Sequence, residues 1–327
     1  MKIKHCLQAS IMLGLLTFVA CQKDDTKEET KPTTTSGGVT DAKELARQDF
    51  VSMYAGSDVA SFTWNGNTSN CTAGTLSQEV LDKAMLRIKY FRKSAGLSND
   101  AISMNAVYNA KSQQAALMMK ANNSLSHQPP TTWSCYTADG AEAAQKGNIA
   151  FGVSDVENIN LWVEDEGSNN TEVGHRRWIL YSRATQFGFG STSNTATLWV
   201  INSGVGSSAL PAGTPEYVAW PPKGFVPRDV VYPRWSLSIP APTYPYQVDF
   251  TQATVVMKDP AGAEVPLTIE YANPIQGSYA GDNTLTWRPS GIQTSLDTDQ
   301  KYSVKVSNVL VGGSPKTYEY DVTIFKP

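Results

Sequence analysis

Histidine is scarce in this chain, with three in 327 residues. One of them, His5, falls in the first ten positions. That leaves His127, in "SHQPP", and His175, in "VGHRRWIL". No His-x-x-x-His pair exists, so a helical two-histidine metal motif is excluded. Other absences narrow the field. No basic stripe with interleaved aromatics is present, which argues against a nucleic-acid partner. No Gly-x-Ser-x-Gly elbow accompanies Ser126 beside His127, so the serine-hydrolase pattern is missing. "GFGS" lacks the Lys-Ser/Thr of a phosphate loop. No internal repeat is visible. Charge is low, with 27 basic and 30 acidic residues and a net charge of −3.

Long apolar runs are absent as well. The longest candidate, Ile11 to Ala20, is too short to cross a bilayer as a helix. With Lys2 and Lys4 before it and Cys21 after it, residues 1–20 read as a secretory leader. "FVAC" resembles a bacterial lipobox, in which Cys21 becomes the acylated first residue. The segment after it, "QKDDTKEETKPTTTSGG", cannot bury a core and reads as a flexible tether. Residues 21–65 are therefore expected to be disordered tether and lead-in. Removal of the leader leaves Cys71 and Cys135 beside the lipid-committed Cys21. Two cysteines in an oxidising compartment point to one disulfide, the alternative being two buried thiols. A loop of this length would contribute about 4 kcal/mol in the chain-entropy view.

Periodicity then divides the chain. Thr75 and Gln78 fit a capping box, followed by apolar residues Val80, Leu81, Ala84, Met85, Ile88 and Phe91 at helical spacing and a stop at Gly96. A second helix is expected over about Ser103–Asn123, burying Val107, Ala110, Leu117, Met118 and Ala121. "NINLWVED" predicts a short third helix, and "ATQFGFGSTSNTATLWVIN" a hairpin. "GNIAFGV" fits either strand or turn. Past residue 205, short alternating runs punctuated by Pro and Gly predict an all-β sandwich of Ig-like or fibronectin-like type. The boundary is set at residue 228, giving domains 66–227 and 228–327.

Taken together, "YFRKSAGL", "LSHQPP", "WSCYTADG", "GNIAFG", "DEGSNNTEVGHRRWIL" and "FGFG" resemble the CAP family of cysteine-rich secretory, antigen 5 and pathogenesis-related 1 proteins, best in its bacterial secreted branch. The resemblance covers about Leu76–Asn202. It implies an α+β fold, a CAP-type α–β–α sandwich, here followed by the C-terminal β-sandwich. It also implies a concave face with two histidines and two acids. His127 and His175 match the histidines. Gly147, in "KGNIA", stands where the family has a glutamate. The second acid falls on Glu164 or Asp165; the pattern "DEGSNN" favours Asp165 as the match without separating the two. Asn148, Arg176 and Arg177 are expected to support the cleft, one arginine pairing with Asp165 or Glu172 and the other facing solvent.

Neutral imidazole is a good ligand for Zn²⁺ and similar ions. Two histidines, one carboxylate and water would make an open, weak site for zinc or another divalent cation. The alternative is that each histidine is a hydrogen-bonded structural group. Three functions follow as expectations. The first is a lipid-anchored, monomeric, non-enzymatic module on the bacterial cell envelope, at the outer-membrane surface or outside it. Its cleft would bind a lipid, peptide, glycan or protein, and its β-sandwich would be a spacer or adhesive arm. The second is a metal-dependent hydrolase using His127 and His175. The third is a structural envelope protein with a vestigial cleft.

Overall fold

A computed structural model describes residues 41–202, 209–241, 247–275 and 281–327. The expected leader, Cys21 and the part of the expected tether up to residue 40 lie outside these residues. Residues 42–57 are helical, where the sequence suggested a disordered lead-in. Helix α1 (Ala42–Asp49) starts at Asp41, whose carboxylate accepts the Lys43 N–H, and runs on into a π turn at Phe50–Tyr54. Its partners lie elsewhere in the chain: α1 packs on residues Gly224–Pro227 and Lys43 pairs with Asp299 at 2.7 Å. The fully buried Arg87 donates to the Ser57 hydroxyl, the Tyr54 carbonyl and the Asp58 carboxylate.

Arg87 belongs to α2 (Gln78–Ser94). Its cap is Ser77, which accepts the Val80 N–H, rather than the expected Thr75. The Thr75 N–H is instead bound by Asn65. Strand β1 (Ser103–Met104) precedes α3 (Ala106–Asn122), so the expected helix is shorter at its start. Asn105 caps α3 through the Val107 and Tyr108 N–H groups. The buried face of α3 also differs from the apolar pattern. Val107 is 59% exposed, whereas Ser112 and Gln113 are buried. These two polar residues are tolerated inside because they bond the Gly188 and Ser191 backbone.

Helix α4 (Ala138–Lys146), β2 (Gly147–Phe151), α5 (Glu157–Glu164), α6 (Gly174–Ile179), β3 (Gln186–Ser191) and β4 (Thr195–Trp199) follow. The sheet order is β1-β3-β4-β2. Ala115, Met118, Met119, Ala143 and Ala144 of α3 and α4 pack with Ile149 and Trp199 on one face. The buried residues of α2, α5 and α6 gather on the other. This is the expected three-layer α–β–α arrangement.

The C-terminal strands form two sheets. One has the order β10 (Leu267–Ala272), β11 (Asn283–Pro289), β7 (Trp235–Ile239), β5 (Val218–Trp220). The other has the order β6 (Gly224–Pro227), β13 (Ser314–Phe325), β12 (Gln300–Val311), β8 (Val248–Asp249), with β9 (Thr254–Lys258) also on β12. Trp235 meets Tyr302 edge-on at 6.3 Å between the sheets. Strands β5 and β6 lie upstream of residue 228, so the sandwich draws on residues the sequence reading left with the first domain. The division is also not a break in the core. One apolar cluster runs from α2 into both C-terminal sheets, with Phe91 and Trp220 in ring contact at 5.2 Å. Thr40–Pro327 form one compact unit. Among the described residues no helix is long and apolar enough to cross a membrane.

Candidate functional site

The site begins at the end of α5. Asp165 caps that helix in the left-handed conformation, φ 55°, and is 1% exposed. This turn sends its carboxylate back to the start of α6. One oxygen accepts the His175 backbone N–H at 3.0 Å and lies 3.4 Å from that of Arg176. The other meets His175 Nδ1 at 2.7 Å. A carboxylate occupied by N–H donors accepts from Nδ1, so His175 carries its proton there and keeps a lone pair on Nε2.

His127 is set in the same way by a different partner. Its Nδ1 lies 2.7 Å from the Ala144 carbonyl of α4. A carbonyl can only accept, so this ring too is protonated at Nδ1. Both histidines line a single open cleft of about 320 Å³, with Gln145, Asn169, Asn170, Glu172 and Trp178 among the other walls. Among the described residues neither Nε2 has a protein hydrogen-bond partner.

The remaining candidates divide. Asn148 is buried and donates to the His175 carbonyl at 3.0 Å, tying β2 to α6. Asp165 stands behind His175 rather than in the cleft lining. Glu164 does not line the cleft either. Its carboxyl is raised from its ordinary value, chiefly by desolvation and secondarily by Glu166. Arg176 and Arg177 are both buried, so neither faces solvent as expected. Burial draws the Arg176 guanidinium down to about 10, with Asp165 opposing the shift. It donates to the carbonyls of Val163, Glu164 and Arg234. Arg177 lies 3.7 Å from the Glu172 carboxylate. The arginines are thus committed to the protein and cannot clamp an anion.

Gly147 lines the cleft as well, and it is not a vacancy left by a lost side chain. A Cβ there would stand 2.7 Å from the Ala143 carbonyl and 3.0 Å from that of Leu198. The acid on the wall is Glu172, which the sequence reading considered only as an arginine partner. Its position three residues before His175 is the signal that could have placed it.

Two imidazoles with fixed tautomers suit a divalent cation, and Glu172 is the acid nearest in kind. Yet among the described residues no group of three or more His, Cys, Asp or Glu is arranged to hold a metal. A cation in this cleft would have at most the two histidines as protein ligands and would need water for the rest of its shell. Two of the larger hollows lack such chemistry. One, of about 660 Å³, lies on the outer sandwich face, where Lys305 and Glu319 pair at 2.6 Å. The other, of about 600 Å³, lies beside the Cys71–Cys135 disulfide.

Residues 86–202 match the model of the CAP family, described as the cysteine-rich secretory protein family. Every residue lining the cleft lies inside that segment. No curated protein matches the chain.

Proposed function

We propose, from the premise that residues 86–202 are a CAP-family domain, that this extracellular protein is a non-enzymatic binding module. In this reading it is anchored to the bacterial cell envelope by lipid on Cys21, and its cleft takes the ligand. One observation carries the reading: two histidines hold their Nδ1 atoms against fixed acceptors, and both rings line one cleft. Such rings accept hydrogen bonds from a ligand, or hold a divalent cation that bridges to one. His127 and His175 would hold the cation, with water completing its shell. Bound there, the cation would supply a Lewis-acidic contact for a ligand oxygen.

The hydrolase reading has the Asp165–His175 pair in its favour, which resembles an oriented general base. It lacks a nucleophile paired with that base and a third protein ligand for a metal. Lipid, peptide, glycan and protein remain the ligand classes open to the cleft, and nothing in the chain favours nucleic acid.

Calorimetric titration of Zn²⁺ into the leaderless chain tests the cleft. Weak binding that disappears in the His127→Ala, His175→Ala double variant is the expected result. Binding that survives in that variant places the cation elsewhere, and absence of binding to the parent chain removes the cation from the reading. Anchoring is tested separately. Cys21→Ala should move the protein from the membrane to the soluble fraction, and retention in the membrane would overturn the anchor.

A further inference from the structure

The cleft wall between α5 and α6 is a loop, residues 165–173. It is pinned from within by a few turn bonds, Asn170 N–H to the Gly167 carbonyl at 3.2 Å and Val173 N–H to the Asn170 carbonyl at 2.9 Å. Asp165 and Val173 adopt left-handed backbone, and residues 166–169 are exposed. Further fixed points come from the C-terminal sandwich. Arg234, at the head of β7 and 2% exposed, donates to the Asp165 carbonyl and, at 2.8 Å, to the Gly167 carbonyl. Its remaining Nε binds Glu270 of β10. Thr286 of β11 donates to the Thr171 carbonyl. Arg288 of the same strand lies 3.4 Å from Glu166.

The grip runs the other way as well. Arg176 of α6 reaches the Arg234 carbonyl at 3.0 Å and the Ser236 hydroxyl at 3.1 Å. Arg177 reaches the Asn273 side chain at 2.8 Å and the Asp282 carbonyl at 3.2 Å. Gly281, φ 66°, presses its backbone on the Arg177 carbonyl, where a Cβ would stand at 2.6 Å. Only glycine permits that approach.

We propose that the β-sandwich is the scaffold of the cleft, and that Arg234 is a positioning residue acting through Asp165 on His175. The inference rests on reading the cleft as a binding site. The physical reason is the chain of short contacts. Arg234 holds the carbonyl of the residue whose carboxylate holds the imidazole. Asp165 has one oxygen 2.7 Å from Nδ1 and the other 3.0 Å from the backbone N–H. A displacement of its peptide by about 1 Å exceeds what both bonds tolerate. His127 has no part in this chain, because the Ala144 carbonyl on α4 holds it. A loss at Arg234 is therefore felt by one histidine and not the other, which a general loosening of the fold would not produce.

After removal of the leader, His127 and His175 are the only histidines, so ¹⁵N-histidine labelling gives two ring systems. In the parent leaderless chain both are expected as the Nδ1–H tautomer. In Arg234→Gln the His175 nitrogens are expected to shift toward the averaged values of an exchanging ring, with His127 unchanged. Arg234→Lys, which can keep one of the two carbonyl contacts, is expected to shift less. If Arg234→Gln does not fold, Thr286→Val removes a milder contact on the same loop and is expected to shift His175 in the same direction. Unchanged His175 signals in a folded Arg234→Gln chain, or equal shifts of both rings, overturn the proposal. So do unchanged His175 signals in Thr286→Val where Arg234→Gln is unfolded. The readout needs no bound ligand. Failure of Zn²⁺ binding would count against the binding reading and leave this result standing.

Discussion

Side-chain identity at the cleft is set by what the backbone will accept. Gly147 shows this most plainly. The family resemblance presents it as a missing glutamate, whereas the structure presents it as a place with no room for Cβ. The obstructing atoms are the Ala143 and Leu198 carbonyls and the Thr197 methyl at 2.9 Å, and the carbonyls belong to helix and sheet that cannot easily yield. Gly147→Ala is expected to cost about 1–3 kcal/mol, as for other overpacked sites, read from urea unfolding. Gly147→Glu is expected to cost at least as much and to leave Zn²⁺ affinity no higher. A stable Gly147→Glu chain with tighter zinc binding would show that the site had simply lost its acid. The same logic explains Asp165. A buried carboxylate is costly unless its acceptor sites are filled, and here a ring N–H and backbone N–H groups meet them.

Among the elements, the loop before α4 is the one that covalent chemistry holds. The Cys71–Cys135 bridge spans 64 residues and joins the lead-in to α2 with the loop before α4. The Cys71→Ser, Cys135→Ser double variant is expected to lose about 2–4 kcal/mol, seen as an earlier urea midpoint. An unchanged midpoint would mean that the segment around Cys71 is held by its non-covalent contacts, such as those of Trp64 and Gln113 to the Ala73 carbonyl, alone. This bridge was legible from cysteine counting, and α2 and the β3–β4 hairpin were legible from periodicity. The start and the buried face of α3 were not. Ser103 and Met104 pair with Gln186 and Phe187 as strand, and Ser112 and Gln113 are buried by bonds to β3. Both depend on partners more than 70 positions away, which no local pattern contains. The helical lead-in was hidden for the same reason, since Lys43 pairs with Asp299 and Arg87 holds Tyr54, Ser57 and Asp58 from another helix. In the site, the two histidines stood out by scarcity. Asp165 could not be told from Glu164 because only the left-handed cap at 165 aims one carboxylate at α6.

Across the whole molecule, the CAP segment and the sandwich are joined by ionic groups as well as by a shared apolar core, and the centre of that junction is Asp282. It is 2% exposed, accepts the Ser182 N–H and hydroxyl at 3.0 Å each, and lies 3.6 Å from Arg183. Desolvation raises its carboxyl from 3.8 to about 6, with the Ser182 bonds and then Arg183 and Arg177 opposing the rise. The sign follows from proton binding. Between 3.8 and about 6 the folded chain holds a proton that the unfolded chain releases. The stability this group adds is therefore complete below 3.8 and is lost as pH rises through about 6. Asp282→Asn removes the titration while keeping an acceptor and the volume. The stability of the parent minus that of Asp282→Asn is expected to be larger at pH 4.5 than at pH 7, by no more than about 3 kcal/mol. Other carboxylates titrate in both chains and cancel in the difference. Urea unfolding of the two chains at several pH values measures it. A difference that stays flat over this range would mean that Asp282 titrates as an exposed aspartate does, and that the junction between cleft and sandwich is wetter than its packing indicates.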